Sequence, residues 1–183
     1  MKSSPLWYLI SSMSEILEIV DRDGNIIGRA KRSEIHGNNA LLHRVVHLIV
    51  TNPSGDILLQ KRSMKKDVAP GRWDTSVGGH VGEGEDIETA LKRETEEELG
   101  ITPDGARLLY TYIHKNPYES ELVYTHQLTH QGPFRFDPDE IDEVRFWSLE
   151  EIKQNLGKGV FSDNFEDEFG MFMNHINENI QED

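Results

Sequence analysis

A turn rich in glycine, followed directly by an acidic helix, is the feature that most constrains this chain. Residues 78–84 include four glycines, and Glu85–Leu99 has the composition of a helix with an acidic first turn, as the helix dipole prefers. Gly100 follows at the position where a residue in the left-handed conformation commonly ends a helix. We therefore predict a loop, a helix of about four turns and a second loop in immediate succession.

Carboxylates occupy positions on this helix where packing against a core calls for apolar side chains. At about 100° per residue, Ile87, Ala90 and Leu91 define the buried stripe. Three glutamates continue or border that stripe: Glu94, Glu97 and Glu98. Like charges at spacings of three and four repel each other, and a bound divalent cation would relieve the repulsion. A solvated acidic face is the alternative, because glutamate is a good helix former.

Composition narrows the chemistry of such a site. The chain has 183 residues, of which 36% are hydrophobic, and this size favours one domain. We predict an N-terminal extension over residues 1–14 and a single domain over residues 15–183 that ends in a helix. Cysteine is absent, which excludes disulfides, thiolate metal sites and a cysteine nucleophile. Oxygen ligands without thiolates favour Mg²⁺ or Mn²⁺.

The charge of the chain limits its partners. The formal net charge is −14, which opposes association with nucleic acid or with an anionic membrane. A phosphorylated substrate would be repelled as well, unless a divalent cation mediates the encounter. No apolar run approaches the roughly 20 residues that span a bilayer. We therefore expect no membrane association and a cytoplasmic location.

Strand and helix patterns alternate irregularly along the chain. Strands are predicted at Glu15–Val20, Asn25–Ala30, Arg44–Thr51, Asp56–Gln60, Trp73–Val77, Arg107–Ile113, Leu122–Thr129 and Val144–Trp147. Besides Glu85–Leu99, helices are predicted at Leu149–Leu156 and Phe161–Ile180. Several strands with few helices and no regular βαβ repeat indicate an α+β or layered α/β domain with a mixed sheet. We expect the acidic residues after Lys158 to form a solvated helix face and tail.

From Gly79 the sequence reads glycine, five residues, Glu85, seven residues, and then Arg93-Glu94-Thr95-Glu96-Glu97-Glu98-Leu99-Gly100-Ile101. This segment resembles the Nudix box, and its one departure is Thr95, where the family usually has an aliphatic residue. Segments such as residues 58–63 and 70–80 resemble the Nudix branch related to type 1 isopentenyl diphosphate isomerase. The resemblance covers residues 15–157 and implies an α/β/α sandwich with a mixed β-sheet.

The resemblance also implies a reaction and roles for the residues of the box. The reaction is hydrolysis of a phosphoanhydride bond in a small nucleoside-diphosphate-like substrate, with Mg²⁺ or Mn²⁺ as cofactor. Glu97 and Glu98 are expected to bind the metal, with the carbonyl of Gly79 as a further ligand. Glu94 would orient or deprotonate the attacking water or join the metal shell, and either Glu94 or Glu98 is a candidate base. We expect Glu85 and Arg93 to brace the loop and helix.

The isomerase branch supplies an alternative function. Its metal-binding set corresponds here to His36, His43, His80, Glu119 and Glu121, which makes these residues a candidate second metal site. Glu121 is also predicted as an extra carboxylate ligand for the box. However, this chain has Gly78 where the isomerases have a catalytic cysteine. A hydrolase is therefore preferred over an isomerase-like enzyme, and a non-catalytic diphosphate-binding regulator is the third candidate.

Substrate-binding residues are the least constrained part of the prediction. Lys61, Arg62, Lys65 and Lys66 form a basic cluster near the glycine turn, from which Arg62 and Lys66 are predicted to receive substrate phosphates. Trp73, Tyr112 or Tyr124 could stack on a base, with a core position as the alternative. His47 is expected to pack within a strand. A homodimer is left open, and the identity of the substrate is not encoded in the box.

Overall fold

A computed structural model describes residues 15–66 and 68–180, so the predicted N-terminal extension lies outside the described residues. The strands are β1 (Ile16–Val20), β2 (Ile26–Lys31), β3 (Leu42–Thr51), β4 (Ile57–Arg62), β5 (Trp73–Asp74), β6 (Val77–His80), β7 (Arg107–Lys115), β8 (Ser120–Thr129) and β9 (Ile141–Trp147). The helices are α1 (Arg32–Ile35), α2 (Ile87–Leu99), α3 (Leu149–Asn155) and α4 (Asp163–Ile180). Of the described residues, none lies in a helix that is both long and apolar enough to cross a membrane.

Strand β3 organises the sheet. It runs parallel to β8 over its whole length, from the pair Leu42 and Ser120 to the pair Thr51 and Thr129. On its other side it pairs antiparallel with β6. It is also joined to β1 and to β4 by one antiparallel residue pair each. Strands β7 and β8 form an antiparallel hairpin, and β9 pairs antiparallel with β4. The sheet is therefore mixed, as predicted.

Successive side chains of β3 point to opposite faces of the sheet, and each face has its own apolar core. On one face, Val46, Leu48 and Val50 lie in a core cluster with Ala90, Leu91 and Leu99 of α2. On the other face, Ile49 lies in a cluster with four phenylalanines at or in α4: Phe161, Phe165, Phe169 and Phe172. Helices thus cover both faces of the sheet, and the predicted α/β/α sandwich is confirmed.

The strand predicted over Trp73–Val77 divides into β5 and β6. The hydroxyl of Ser76 donates to the carbonyl of Leu58 at 2.5 Å and accepts from the amide of Val50 at 2.8 Å. These side-chain bonds are made at the point where the two short strands separate, so β5 pairs with β4 and β6 pairs with β3. The short helix α1 was not predicted from the sequence.

The expectation of a solvated acidic face on the last helix is wrong for Glu168. This residue of α4 is fully buried, and its Oε1 lies 3.0 Å from Nδ1 of His47 on β3. The hydroxyl of Thr125 donates to the same oxygen at 2.8 Å. Burial alone would lower the pKa of His47, but the charge and hydrogen bond of Glu168 override it and raise the pKa to about 9. His47 therefore packs in its strand, as predicted, but as one member of a buried ion pair.

The ion pair of His47 predicts how stability depends on pH. The raised pKa favours the folded state fully below pH 6.5, and this contribution is lost as pH rises through about 9. We expect His47→Gln to destabilise the protein by on the order of 3 kcal/mol at pH 6 and by much less at pH 10. Chemical denaturation across this range measures the difference. His126→Gln is the control, because burial shifts the pKa of His126 downward, opposite to the shift of His47. A cost of His47→Gln in stability that does not change with pH would contradict the assignment.

Candidate active site

Helix α2 is capped at both ends, and the sequence pattern predicted the cap at Gly100. The carboxylate of Asp86 caps the first turn by accepting from the amide of Thr89 at 2.7 Å, so the helix begins at Ile87 and not at Glu85. Gly100 ends the helix with φ of 65°, in the left-handed region. Thr95, the departure from the box, is buried and donates its hydroxyl to the carbonyl of Leu91 at 2.6 Å. The substitution therefore leaves no unsatisfied polar group in the core.

Arg93 braces the glycine turn against the helix. Its Nε and Nη2 donate to the two oxygens of Glu85 at 2.9 and 2.8 Å, and Nη2 also donates to the carbonyl of His80 at 2.9 Å. Glu85 in turn accepts from the amide of Gly82 at 2.9 Å. The hydrogen bonds from Arg93 hold the pKa of Glu85 below its usual value. This arrangement matches the bracing contacts expected for the pair.

Glu94 lies between Arg93 and the glycine turn. Its side chain is 13% exposed, and its Oε1 accepts from Nη1 of Arg93 at 2.6 Å. A β-carbon at Gly79 would lie only 2.0–2.3 Å from the carboxylate of Glu94, so the absence of a side chain at Gly79 makes room for this group. Burial, together with the charge of Glu98, raises the pKa of Glu94 to about 8.

Glu98 is held by groups from the sheet. One carboxylate oxygen accepts from Nε2 of Gln60 at 2.8 Å and from the amide of Gly78 at 3.2 Å. Burial raises the pKa of Glu98 to about 7, although both of these hydrogen bonds favour the charged form. The sequence did not single out Gln60, and the available signal was a polar residue directly after the apolar run Ile57–Leu59.

Glu97 differs from its two neighbours because its side chain is 62% exposed. Arg93 approaches it at 3.6 Å, but the shorter contacts of Arg93 are made with Glu85 and Glu94. Arg93 thus holds Glu85 and Glu94 more closely than it holds Glu97. Within the described ranges, Glu94, Glu97 and Glu98 do not form a group of three whose ligand atoms all lie within 4.8 Å of one another.

The donor set of the box fits a hard divalent cation. Glu94 and Glu98 are partly buried carboxylates on adjacent turns of α2, and the charge of Glu98 is one cause of the raised pKa of Glu94. A cation bound beside them would stabilise both charged forms. The side chain of Glu97, on the same helix, is mostly exposed. The chain's own chemistry therefore supports carboxylate ligation at this position.

The second set of predicted ligands does converge. Ligand atoms of His36, His43 and His80 lie within 4.8 Å of one another, as do those of His43, Glu119 and Glu121. His36 approaches His80 and Glu119 at 3.4 Å, and His43 approaches Glu121 at 3.9 Å. His43 is fully buried, and among residues 15–66 and 68–180 neither of its ring nitrogens has a hydrogen-bond partner. Burial and the neighbouring His36 lower the pKa of His43 to about 4, so its lone pair is available to a metal ion.

The two candidate sites lie on opposite faces of the sheet. In β6, Gly79 faces α2 and Glu94, and the next residue, His80, points to the other face and toward His43. Glu121 is in register with His43 and accepts from Asn164 of α4 at 3.4 Å. The expectation that Glu121 faces the box is therefore wrong, because strand alternation turns its side chain to the histidine cluster. Burial and Glu119 raise the pKa of Glu121 to about 8.

The predicted substrate-binding residues already have partners within the protein. Arg62 contacts Asp74 at 3.2 Å and also donates to the carbonyl of Val68 at 2.8 Å. Lys66 pairs with Glu140, which neutralises its charge. Each of the two cations is thus already engaged in an ion pair within the protein.

Trp73 is a core residue, which corrects the prediction that it stacks on a substrate. It is buried against Trp147, with ring centroids 5.2 Å apart in an edge arrangement. The reason is its position in β5, whose short ladder with β4 turns the ring into the cluster around α4. The hydroxyl of Tyr112 donates to Asn164 of α4 at 3.1 Å. The core alternative thus holds for Trp73.

Comparison with known proteins agrees with this architecture. The NUDIX domain family model matches residues 41–167. An uncharacterized Nudix hydrolase of Yersinia pestis is 34% identical over 146 residues, which are 78% of this chain and 78% of that protein. An isopentenyl-diphosphate Delta-isomerase of Streptomyces avermitilis is 31% identical over 153 residues, 80% of this chain and 78% of that one. The fold is similar to that of DR0079 from Deinococcus radiodurans, with a TM-score of 0.76 and 24% identity over 86% of this chain and 98% of that one.

The contact between Gly79 and Glu94 predicts the effect of a single methyl group. We expect Gly79→Ala to fold with a change in stability of about 1 kcal/mol or less, because the carboxylate that it meets is the flexible end of a side chain. The methyl group should displace that carboxylate from Arg93, which a crystal structure of the variant would reveal. Gly28→Ala is the control, since its new β-carbon meets only Ile19 at 3.9 Å. An undisturbed Glu94 in Gly79→Ala would contradict the prediction.

Proposed function

Because the chain belongs to the Nudix domain family, we propose that it is a metal-dependent hydrolase of a phosphoanhydride bond. The substrate class is a nucleoside di- or triphosphate, or a nucleoside diphosphate linked to another group. The observation that carries the proposal is the pair of partly buried carboxylates, Glu94 and Glu98, that face the glycine strand β6 from helix α2. A merely structural helix would bury apolar side chains at these two positions.

Glu98, Glu97 and Glu94 would hold Mg²⁺ or Mn²⁺, with the carbonyl of Gly79 as a further ligand. When bound, such an ion neutralises phosphate oxygens and increases the acidity of water. It would also offset the repulsion between a polyanionic substrate and a chain of net charge −14. A small-molecule diphosphate is therefore the proposed partner, and a cytoplasmic location and a homodimer stay predictions.

The residues around the carboxylates have separate proposed roles. Glu85 and Arg93 keep the glycine turn in contact with the helix, and Arg93 also orients Glu94. Burial raises the pKa of Glu94 and Glu98 toward neutrality, the range in which a carboxylate accepts a proton most effectively at physiological pH. We propose that either residue, in its ionised form, receives the proton of the attacking water, and that Gln60 fixes Glu98 for this role or for metal binding.

An isomerase-like activity is the second candidate, and the histidine cluster is the observation that favours it. An isopentenyl-diphosphate Delta-isomerase is also among the relatives of this chain. Against it, Gly78 stands where the resemblance calls for a cysteine, and the chain contains no cysteine at all. A non-catalytic diphosphate-binding regulator ranks third, because binding alone would not require two partly buried carboxylates beside each other.

A phosphate-release screen with Mg²⁺ or Mn²⁺ separates these candidates. We expect turnover on a panel of nucleotides, sugar nucleotides, dinucleotides and isoprenoid diphosphates, and loss of turnover when the metal is chelated. The variants Glu98→Gln and Glu97→Gln should remain folded and lose activity, by on the order of 10²-fold for Glu98. Glu96→Gln is the control, since Glu96 is exposed on the same helix. Full turnover in both test variants, or binding without turnover across the panel, would refute the hydrolase.

A second metal ion is proposed for the histidine cluster of His36, His43, His80, Glu119 and Glu121. The convergence of these donors and the unpartnered ring of His43 support it. We expect the wild-type protein to bind two equivalents of Mn²⁺, one of which is lost in His43→Asn and the other in Glu98→Gln. Equilibrium dialysis measures the stoichiometry, and His126→Asn, outside the cluster, should retain both. Wild-type protein that binds only one equivalent, and keeps that equivalent in His43→Asn, would contradict this site.

A further inference from the structure

The buried ion pair of His47 and Glu168 is connected to Glu98 of the Nudix box through one residue, Gly78. Glu168 of α4 holds Nδ1 of His47 at 3.0 Å, and Thr125 supplies a second hydrogen bond to the same carboxylate oxygen. Both members of the pair are buried, and replacing such a pair by apolar residues often leaves stability unchanged or improves it. Stability alone thus gives a weak reason for an ion pair at this place in the sheet.

The opposite side of the imidazole ring lies against Gly78. The two residues are direct partners in the ladder between β3 and β6. A β-carbon at Gly78 would lie 3.2 Å from Cδ2 and 3.3 Å from Nε2 of His47, which is closer than an ordinary carbon contact. The ring therefore fills the space that a side chain at this position would use. Fixed by Glu168, it restricts how the backbone of Gly78 can move.

Gly78 in turn contacts Glu98 of the Nudix box. Its amide donates to Oε2 of Glu98 at 3.2 Å, the same oxygen that accepts from Gln60. Contacts thus run from Glu168 to His47, from His47 to the backbone of Gly78, and from Gly78 to Glu98. Helix α4 on one face of the sheet is linked in this way to helix α2 on the other face.

We propose that His47, held by Glu168, is a positioning residue that fixes the Gly78 amide and through it the orientation of Glu98. The inference rests on the proposed function for its effect on turnover, but its effect on metal binding can be measured without any substrate. Residues that orient metal ligands in this indirect way typically change metal affinity by about 10–100-fold when they are replaced. We expect His47→Ala to weaken metal binding by about 10-fold and to lower kcat more than it changes KM.

A double-mutant cycle between His47→Ala and Gly78→Ala tests the proposal. The readout is the affinity for Mn²⁺ of the equivalent that Glu98→Gln removes, followed by electron paramagnetic resonance. We expect each single variant to weaken this binding, because the new methyl group of Gly78→Ala competes with the ring for one space. In the double variant the methyl group occupies part of the vacated space, so the two losses should not add. Additive losses, or unchanged affinity in His47→Ala, would overturn the proposal.

Two further variants separate positioning from stability. Thr51→Val removes a buried hydroxyl from the same strand, one that accepts from Gln127 at 3.3 Å and lies away from Gly78. It should lower stability without changing the affinity for Mn²⁺. If His47→Ala does not fold, the nearly isosteric Glu168→Gln replaces it, and normal Mn²⁺ affinity in that folded variant would also overturn the proposal. Wild-type protein that binds Mn²⁺ through Glu98 but hydrolyses no substrate would refute the hydrolase and leave the positioning test intact.

Discussion

The burial of carboxylates from one helix against a strand of glycines is the interaction on which the rest of the structure depends. Glu94 occupies the space beside Gly79, and Glu98 accepts the amide of Gly78. Two negative charges in this position carry a desolvation cost, which is visible in the raised pKa of both residues. The surrounding contacts limit that cost: Arg93 compensates Glu94, and Gln60 supports Glu98. Both carboxylates are therefore kept in place by contacts within the protein.

The alternation of side chains along two paired strands explains how one small sheet supports two donor clusters. In β6, consecutive residues serve different faces, because Gly79 makes room for Glu94 and His80 joins the histidines. In β3, His43 belongs to the histidine cluster and Val46 to the core under α2. The clusters are close in the chain but are separated by the thickness of the sheet. His47 lies on the histidine side and is the ladder partner of Gly78, whose amide donates to Glu98 of the box.

Local patterns in the sequence were sufficient for the box and for most of the elements. The left-handed Gly100 and the bracing of Glu85 by Arg93 depend on residues of one loop and the helix that follows it, and Glu85 and Arg93 are only eight positions apart. The mixed sheet followed from the irregular order of strands and helices. Thr95 looked like a departure in the packing of the helix, but its hydroxyl is satisfied by the carbonyl one turn earlier. A hydroxyl that bonds within its own helix can be buried without a partner from elsewhere.

Long-range contacts account for what the sequence did not provide. Glu168 looked like part of a solvated face, yet its partner His47 is 121 residues away, and no local pattern encodes that pairing. Arg62 and Lys66 looked available to phosphates, but Asp74 and Glu140 neutralise them across the sheet and a loop. The sequence by itself determined the family, the turn and helix of the box and the residue types of the candidate ligands, because these depend on short-range spacing. Only the tertiary structure decided which face each ligand joins, because strand pairing sets the direction of every side chain.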